Sequence, residues 1–213
     1  MRALVTGFEP FGGDAVNPAL EALYRLPARL GALSLTIAVL PTVFGRAIEA
    51  LAASIDEADP DIVLGLGLAG GRAALSLERV AINLDDARIA DNAGQQPIDR
   101  PVIPGGPAAY FATLPIKAAV AALRAAGLPA IVSNTAGTFV CNHVFYGALH
   151  LAATSRPGMR AGFLHLPFLP AQAARLDGAP SLALDDIVRG VTVVLETAQA
   201  CREDIVAAEG AIA

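Results

Sequence analysis

Three short apolar runs, "RALVTGF", "DIVLGLGL" and "RAGFLHLP", recur along the chain with almost no polar alternation inside them. A strand with one wet face alternates apolar and polar residues; a strand buried on both faces does not. Runs of this kind therefore predict a largely parallel sheet with helices over both of its faces. "SLTIAVLPT", "PAIVSNTA" and "LSLERVAINL" read as further strands, the last admitting polar residues at Ser76 and Glu78.

The intervening segments carry helical spacing. Phe44, Ala47, Ile48, Leu51 and Ile55 fall on one face of a helix between Val43 and Ala58. Asn17-Pro18 has the form of an N-cap followed by proline at the first helical position. "LPIKAAVAALRAAG" ends at Gly127, a C-terminal signal. "TFVCNHVFYGALHLAATS" follows as a helix. The last helix, from about Leu182 to Ala200, has an apolar face at Leu184, Ile187, Val188, Val191, Val194 and Leu195. The expected fold is α/β: a three-layer α/β/α sandwich with a largely parallel twisted sheet, one domain over residues 1–213. "DDARIADNAGQQPIDRPVIPGGPAA" is a long polar loop, and loops of that length in a compact domain usually serve function.

Composition narrows the function classes. Net charge is −5, with a single lysine and no cluster of basic residues, which argues against a nucleic-acid partner. No apolar run approaches the roughly 18 residues of a membrane span, and the N-terminus lacks the apolar core of a signal peptide, so a cytoplasmic location is expected. The two cysteines, Cys141 and Cys201, do not make a disulfide framework, and no metal-ligand spacing appears among cysteines and histidines; neither a metal nor a cofactor is expected.

Cys141 carries the strongest chemical signal. It falls in the first turn of a helix, just after an Ala-Gly turn, where the helix dipole favours thiolate and free N–H groups can receive an oxyanion. His143 is near in sequence but lies at i+2, on another helix face. If the strands before and after this helix are parallel, their carboxyl ends share one rim of the sheet, and His165 at the end of the second strand is brought to Cys141. Such a pair needs a third group to orient the imidazole. Glu78, an acid among apolar neighbours, is the leading candidate, with a plain salt bridge to Arg79 or Arg72 as its alternative. Arg88 is either a loop-stabilising or an active-site cation.

Gly65-Leu66-Gly67-Leu68-Ala69-Gly70 matches a dinucleotide-binding pattern, with Asp85 and Asp86 at the distance of a ribose-binding acid. That reading needs a helix to open at Gly70, and strand-like residues follow instead. Close backbone approach is the preferred use of these glycines. A non-catalytic scaffold is the third reading.

The segments "TGFEPFGGDAVNP", "PTVF", "GLAGGRAALSLERVAIN", "ARIADNAGQQP", "GGPAAYFATLPIK", "TAGTFVCNHVFYG" and "GFLHLP" resemble pyroglutamyl peptidase I, a cysteine peptidase family, along essentially the whole chain. The resemblance implies removal of N-terminal pyroglutamate from peptides without metal or cofactor, in a homotetramer. It places the nucleophile at Cys141, the histidine at His165, the acid at Glu78 and an oxyanion-side arginine at Arg88. It places the lactam-ring pocket at Phe8, Phe11, Phe139 and Val140, with Asn17 contacting the ring and Leu68 standing where some relatives carry glutamine. For Phe8 and Phe11 the competing role is core packing; for Asn17 it is the helix cap. Ala90 stands where relatives often have proline, which would loosen the loop carrying Arg88.

Overall fold

The computed structural model describes residues 1–210. The chain runs β1 (Arg2–Phe8), α1 (Pro18–Leu23), β2 (Arg29–Leu30), β3 (Leu33–Leu40), α2 (Arg46–Ala58), β4 (Ile62–Leu68), β5 (Leu75–Glu78), β6 (Val80–Ile82), β7 (Ala109–Phe111), α3 (Ile116–Ala125), β8 (Ala130–Ser133), α4 (Val140–Thr154), β9 (Arg160–Leu166), α5 (Pro170–Ala173) and α6 (Leu184–Ala200). Seven strands form one sheet in the order β2-β3-β1-β4-β9-β5-β8, and β6 and β7 pair separately. The neighbours β3, β1, β4 and β9 are parallel, as are β5 and β8, while β2/β3 and β5/β9 are antiparallel. The α/β architecture and largely parallel sheet agree with the sequence expectation.

Alternate residues of the central strands serve the two faces. Ile62, Leu64 and Leu66 of β4 join Leu164 and Leu166 of β9 in a core closed by α1, α3 and α6. Val63 of β4 joins Ala161 and Phe163 of β9 in the opposite core, closed by α2 and α4. The apolar stripe of α6 lies fully in the first core through Ile187, Val191, Val194 and Leu195, each burial stabilising by roughly 1.5–3 kcal/mol. Asn17 caps α1 as expected: its Oδ1 accepts from Ala19 N–H at 3.0 Å, with Pro18 at the first helical position.

Two expectations are corrected. "LSLERVAINL" is not one strand: it breaks at Arg79, β5 staying in the main sheet and β6 leaving to pair with β7. Nor is the unit from Ala130 to Pro167 a parallel strand–helix–strand crossover. β5 lies between β8 and β9, parallel to the first and antiparallel to the second, so β8 and β9 run in opposite directions.

The glycines of β4 are a packing requirement. A Cβ on Gly65 would stand 2.5 Å from the Phe163 ring, and one on Gly67 would stand 2.9 Å from both Cys141 Sγ and the same ring. One on Gly70 would reach 2.3 Å from the Phe168 ring. The chain then enters β5, so no helix opens at Gly70 to bind a pyrophosphate. Replacing Gly65 by Ala should lower stability by about 1–3 kcal/mol through overpacking against Phe163. Urea unfolding measures this as a reduced midpoint at unchanged slope, and an unchanged midpoint would contradict the packing.

Candidate active site

The turn from Asn134 to Phe139 carries the chain from the end of β8 back across the sheet to the start of α4. Gly137 makes this possible with φ of 76°, a left-handed value that favours glycine. Gly137 N–H donates to Thr135 Oγ1 at 3.0 Å, and Thr138 Oγ1 donates to the Asp86 carbonyl at 2.7 Å. Phe139 then opens α4 in an extended conformation with no side-chain cap, so the first backbone N–H groups of the helix, beside Cys141, have no acceptor within it. Cys141 reaches the rim through this turn and not through parallel neighbouring strands. Its sulfur lies over Gly67 of β4, the residue paired in register with His165 of β9.

Glu78 ends β5 with no exposed surface. Its Oε1 accepts from Arg72 Nη1 at 2.7 Å and lies 2.8 Å from His165 Nδ1. The acid thus has both the imidazole and the salt bridge that the sequence offered as alternatives. Arg72 is the partner and Arg79 is not; Arg79 Nη2 instead donates to the Glu209 carbonyl. Phe163 packs beside His165, with ring centroids 4.9 Å apart.

Cys141 and His165 line one cavity of about 360 Å³, together with Phe11, Leu68, Arg72, Arg88, Phe139 and residues 136–138 of the turn before α4. Phe11 and Phe139 lie with ring centroids 6.0 Å apart. Arg88 is exposed at this rim. Phe8, Val140 and Asn17, expected at the lactam pocket, do not line the cavity. Phe8 and Val140 are buried in the core beneath α2 and α4, where an aromatic or branched chain at the end of β1 or the start of α4 fills space. Asn17 is buried at the cap of α1, where it also donates Nδ2–H to the Glu9 carbonyl.

Burial and charge act on the Cys141 thiol beside the helix dipole. Burial pushes the thiol up to about 12, and the Glu78 charge adds to this; Arg72 and the Cys141 backbone N–H pull it back only in part. Burial thus opposes the lowering that a helix start favours.

His143 is engaged elsewhere. Gly45 N–H donates to its Nε2 at 2.9 Å, so the ring proton lies on Nδ1, which donates to Asp85 Oδ2 at 2.8 Å. This buried pair fastens α4 to the start of the long loop and of α2. The loop itself is pinned at Asp91, whose Oδ2 accepts from Phe44 N–H at 2.9 Å and whose Oδ1 accepts from Gln95 N–H at 2.8 Å, so Ala90 does not leave it loose. Sequence reasoning missed Asn142, buried without exposure, which accepts from Ile82 N–H and donates to the Ile82 and Leu84 carbonyls. A polar residue flanked by Cys141 and His143 on an apolar helix was its only signal. Among the described residues no cluster of histidine, cysteine or acidic side chains could hold a metal ion. Nor is any helix among them long and apolar enough to cross a membrane.

Comparison with known proteins agrees over the same span. A family model described as pyroglutamyl peptidase matches residues 1–201. The pyrrolidone-carboxylate peptidase of Levilactobacillus brevis is 54% identical over 195 residues, covering 92% of this chain and 96% of that protein. That of Erwinia tasmaniensis is 54% identical over 211 residues, covering 99% and 98%. The crystal structure of pyroglutamyl peptidase I from Bacillus amyloliquefaciens superimposes with a TM-score of 0.95 at 45% identity, covering 97% of this chain and 99% of that one. A pyrrolidone carboxyl peptidase from Pyrococcus furiosus gives 0.91 at 42% identity, covering 94% and 99%. With the family model spanning nearly the whole chain and these relatives sharing about half its residues, the chain belongs to the pyroglutamyl peptidase family.

Proposed function

We propose that this peptidase releases N-terminal pyroglutamate from peptides through a Cys141–His165–Glu78 triad and a thioester acyl-enzyme. The observation that carries the reading is the Glu78 Oε1 to His165 Nδ1 contact of 2.8 Å at a cavity that Cys141 also lines. With Nδ1 turned to the carboxylate, Nε2 is left to take a proton.

Substrate binding displaces water from the cavity. The Cys141 proton passes to His165 Nε2 as Sγ attacks the pyroglutamyl carbonyl carbon. The carbonyl oxygen becomes an oxyanion, received by the Cys141 backbone N–H at the start of α4 and by Arg88 at the rim. His165 returns the proton to the leaving amine as the C–N bond breaks, leaving the pyroglutamyl thioester. A water that gives its proton to His165 then attacks the thioester, pyroglutamate departs, and Sγ is reprotonated. Pyroglutamate is a small uncharged ring whose lactam blocks the amino terminus. The apolar wall of Phe11, Leu68 and Phe139 suits its faces, and an N-terminal ammonium does not have to be neutralised there. Homotetrameric assembly belongs to the same reading and rests on the family resemblance; the cytoplasmic location expected from the sequence is carried with it.

Fluorophore release from a pyroglutamyl-aminocoumarin amide should be abolished by Cys141→Ala; equal release by the folded variant would remove Cys141 from the chemistry. His165→Gln should lower kcat at least about 1000-fold. His143→Gln should keep kcat within about tenfold and appear mainly as a lower thermal midpoint, since the hydrogen bonds of His143 go to Asp85 and Gly45 and not to the reacting atoms. Equal kinetic losses from the two would refute the assignment. Because burial pushes the thiol up, iodoacetamide modification of Cys141 in the free enzyme should keep rising with pH beyond about pH 9. A plateau near pH 6 would mean that the thiolate is already formed at rest.

A further inference from the structure

Arg72 has no role in the chemistry set out above, yet its guanidinium joins the two parts of the site that must keep register. It sits in the turn between β4 and β5, where its N–H donates to the Ala69 carbonyl at 3.3 Å. Nη1 donates to Glu78 Oε1 at 2.7 Å, and Nη2 donates to the Thr135 carbonyl at 3.1 Å. Glu78 is the residue that holds His165. Thr135 lies in the turn that delivers Cys141, and its Oγ1 accepts from Gly137, the residue on which that turn pivots. A guanidinium is planar, with donors in a fixed fork, so it meets both partners only when strand end and turn stand in one relative position.

The electrostatics point the same way. Glu78 has no exposed surface, and its Oε2 has no hydrogen-bond partner. The charged and titratable groups around the carboxylate and imidazole are Arg72 from the β4–β5 turn, Cys141 from α4, and Arg88 and Asp86 from the long loop, all lining one cavity. Of these, Arg72 is the cation in contact with the carboxylate. A buried carboxylate stripped of its cation draws a proton into the site. If that proton settles on His165, the imidazole can no longer accept one from Cys141.

We propose that Arg72 is a positioning residue for the reaction: it clamps the acid's strand to the nucleophile's turn and, by compensating the Glu78 charge, leaves His165 unprotonated and ready to act as base. The inference rests on the triad reading above.

The test is the pH dependence of kcat/KM on the fluorogenic amide for the native enzyme, Arg72→Lys, Arg72→Gln and Arg72→Ala. Loss of the cation should move the acidic limb upward by about one pH unit or more in the Gln and Ala variants. At the pH optimum their kcat should fall at least about tenfold, with KM changed less than about threefold. Lys keeps the charge but not the fork, so its limb should stay in place while kcat still falls. Adding guanidinium ion to Arg72→Ala should bring the limb back. An unmoved limb in both Gln and Ala would overturn the proposal, as would a rise in KM at constant kcat, which would make Arg72 a substrate contact. If Ala fails to fold, Gln and Lys, nearer in size, carry the same comparison. Retained activity in Cys141→Ala would instead overturn the triad reading, whatever the Arg72 variants do.

Discussion

The Glu78 carboxylate is taken wholly out of water at the end of β5, and a charge in that position has to be compensated by its neighbours. Arg72 and His165 both bond to its Oε1. That shared oxygen ties three separate pieces of chain together: the turn after β4, the end of β5 and the last residues of β9. Removing one partner of such a group is far more damaging than the modest net worth of any one bond, because the buried charge is left behind. Much of the surrounding geometry can be understood as keeping that carboxylate partnered. β5 ends at Glu78, Arg79 turns away toward the C-terminal segment, and the sheet divides at that point.

A second constraint acts on the nucleophile. α4 must lie close enough to β4 for Cys141 to stand over the strand, and the absence of a side chain at Gly67 provides the room. The tight packing that results also pushes the thiol upward through burial. In the proposed mechanism such a thiol reacts only when a base is aligned with it. Alignment depends on the same contacts that bury the acid, so stability and reactivity are coupled here through one cluster of side chains.

His143 and His165 show how much of the site was legible in the sequence. Both are buried histidines with a carboxylate on Nδ1. Helical spacing alone turned attention from His143, and the structure gives it a separate partner set in Asp85 and Gly45. The argument that selected His165 assumed parallel strands flanking α4. The conclusion that both residues share a rim survives, but the topology behind it does not: the turn through Gly137, not strand direction, returns the chain to that edge. Phe8, Val140 and Asn17 illustrate the opposite limit. The family resemblance implied a place at the ring pocket, while Phe8 and Val140 lie in the core closed by α2 and α4 and Asn17 caps α1, because strand parity and helix capping fix where a side chain points.

Local order was written in the sequence itself. Apolar runs without alternation required strands buried on two faces, helical spacing required the layers over them, and Asn17-Pro18 required a helix start, since each depends on neighbours within a few residues. The kind of chemistry was written there too, in a cysteine at a helix start and a lone acid in an apolar strand. Tertiary structure alone decided the reversal of β5 and β8 within the sheet, the choice of Arg72 over Arg79 as the partner of Glu78, and the burial that pushes the Cys141 thiol upward. Each of these depends on which distant segments meet and on how completely they exclude water, and neither spacing nor composition along one chain carries that information.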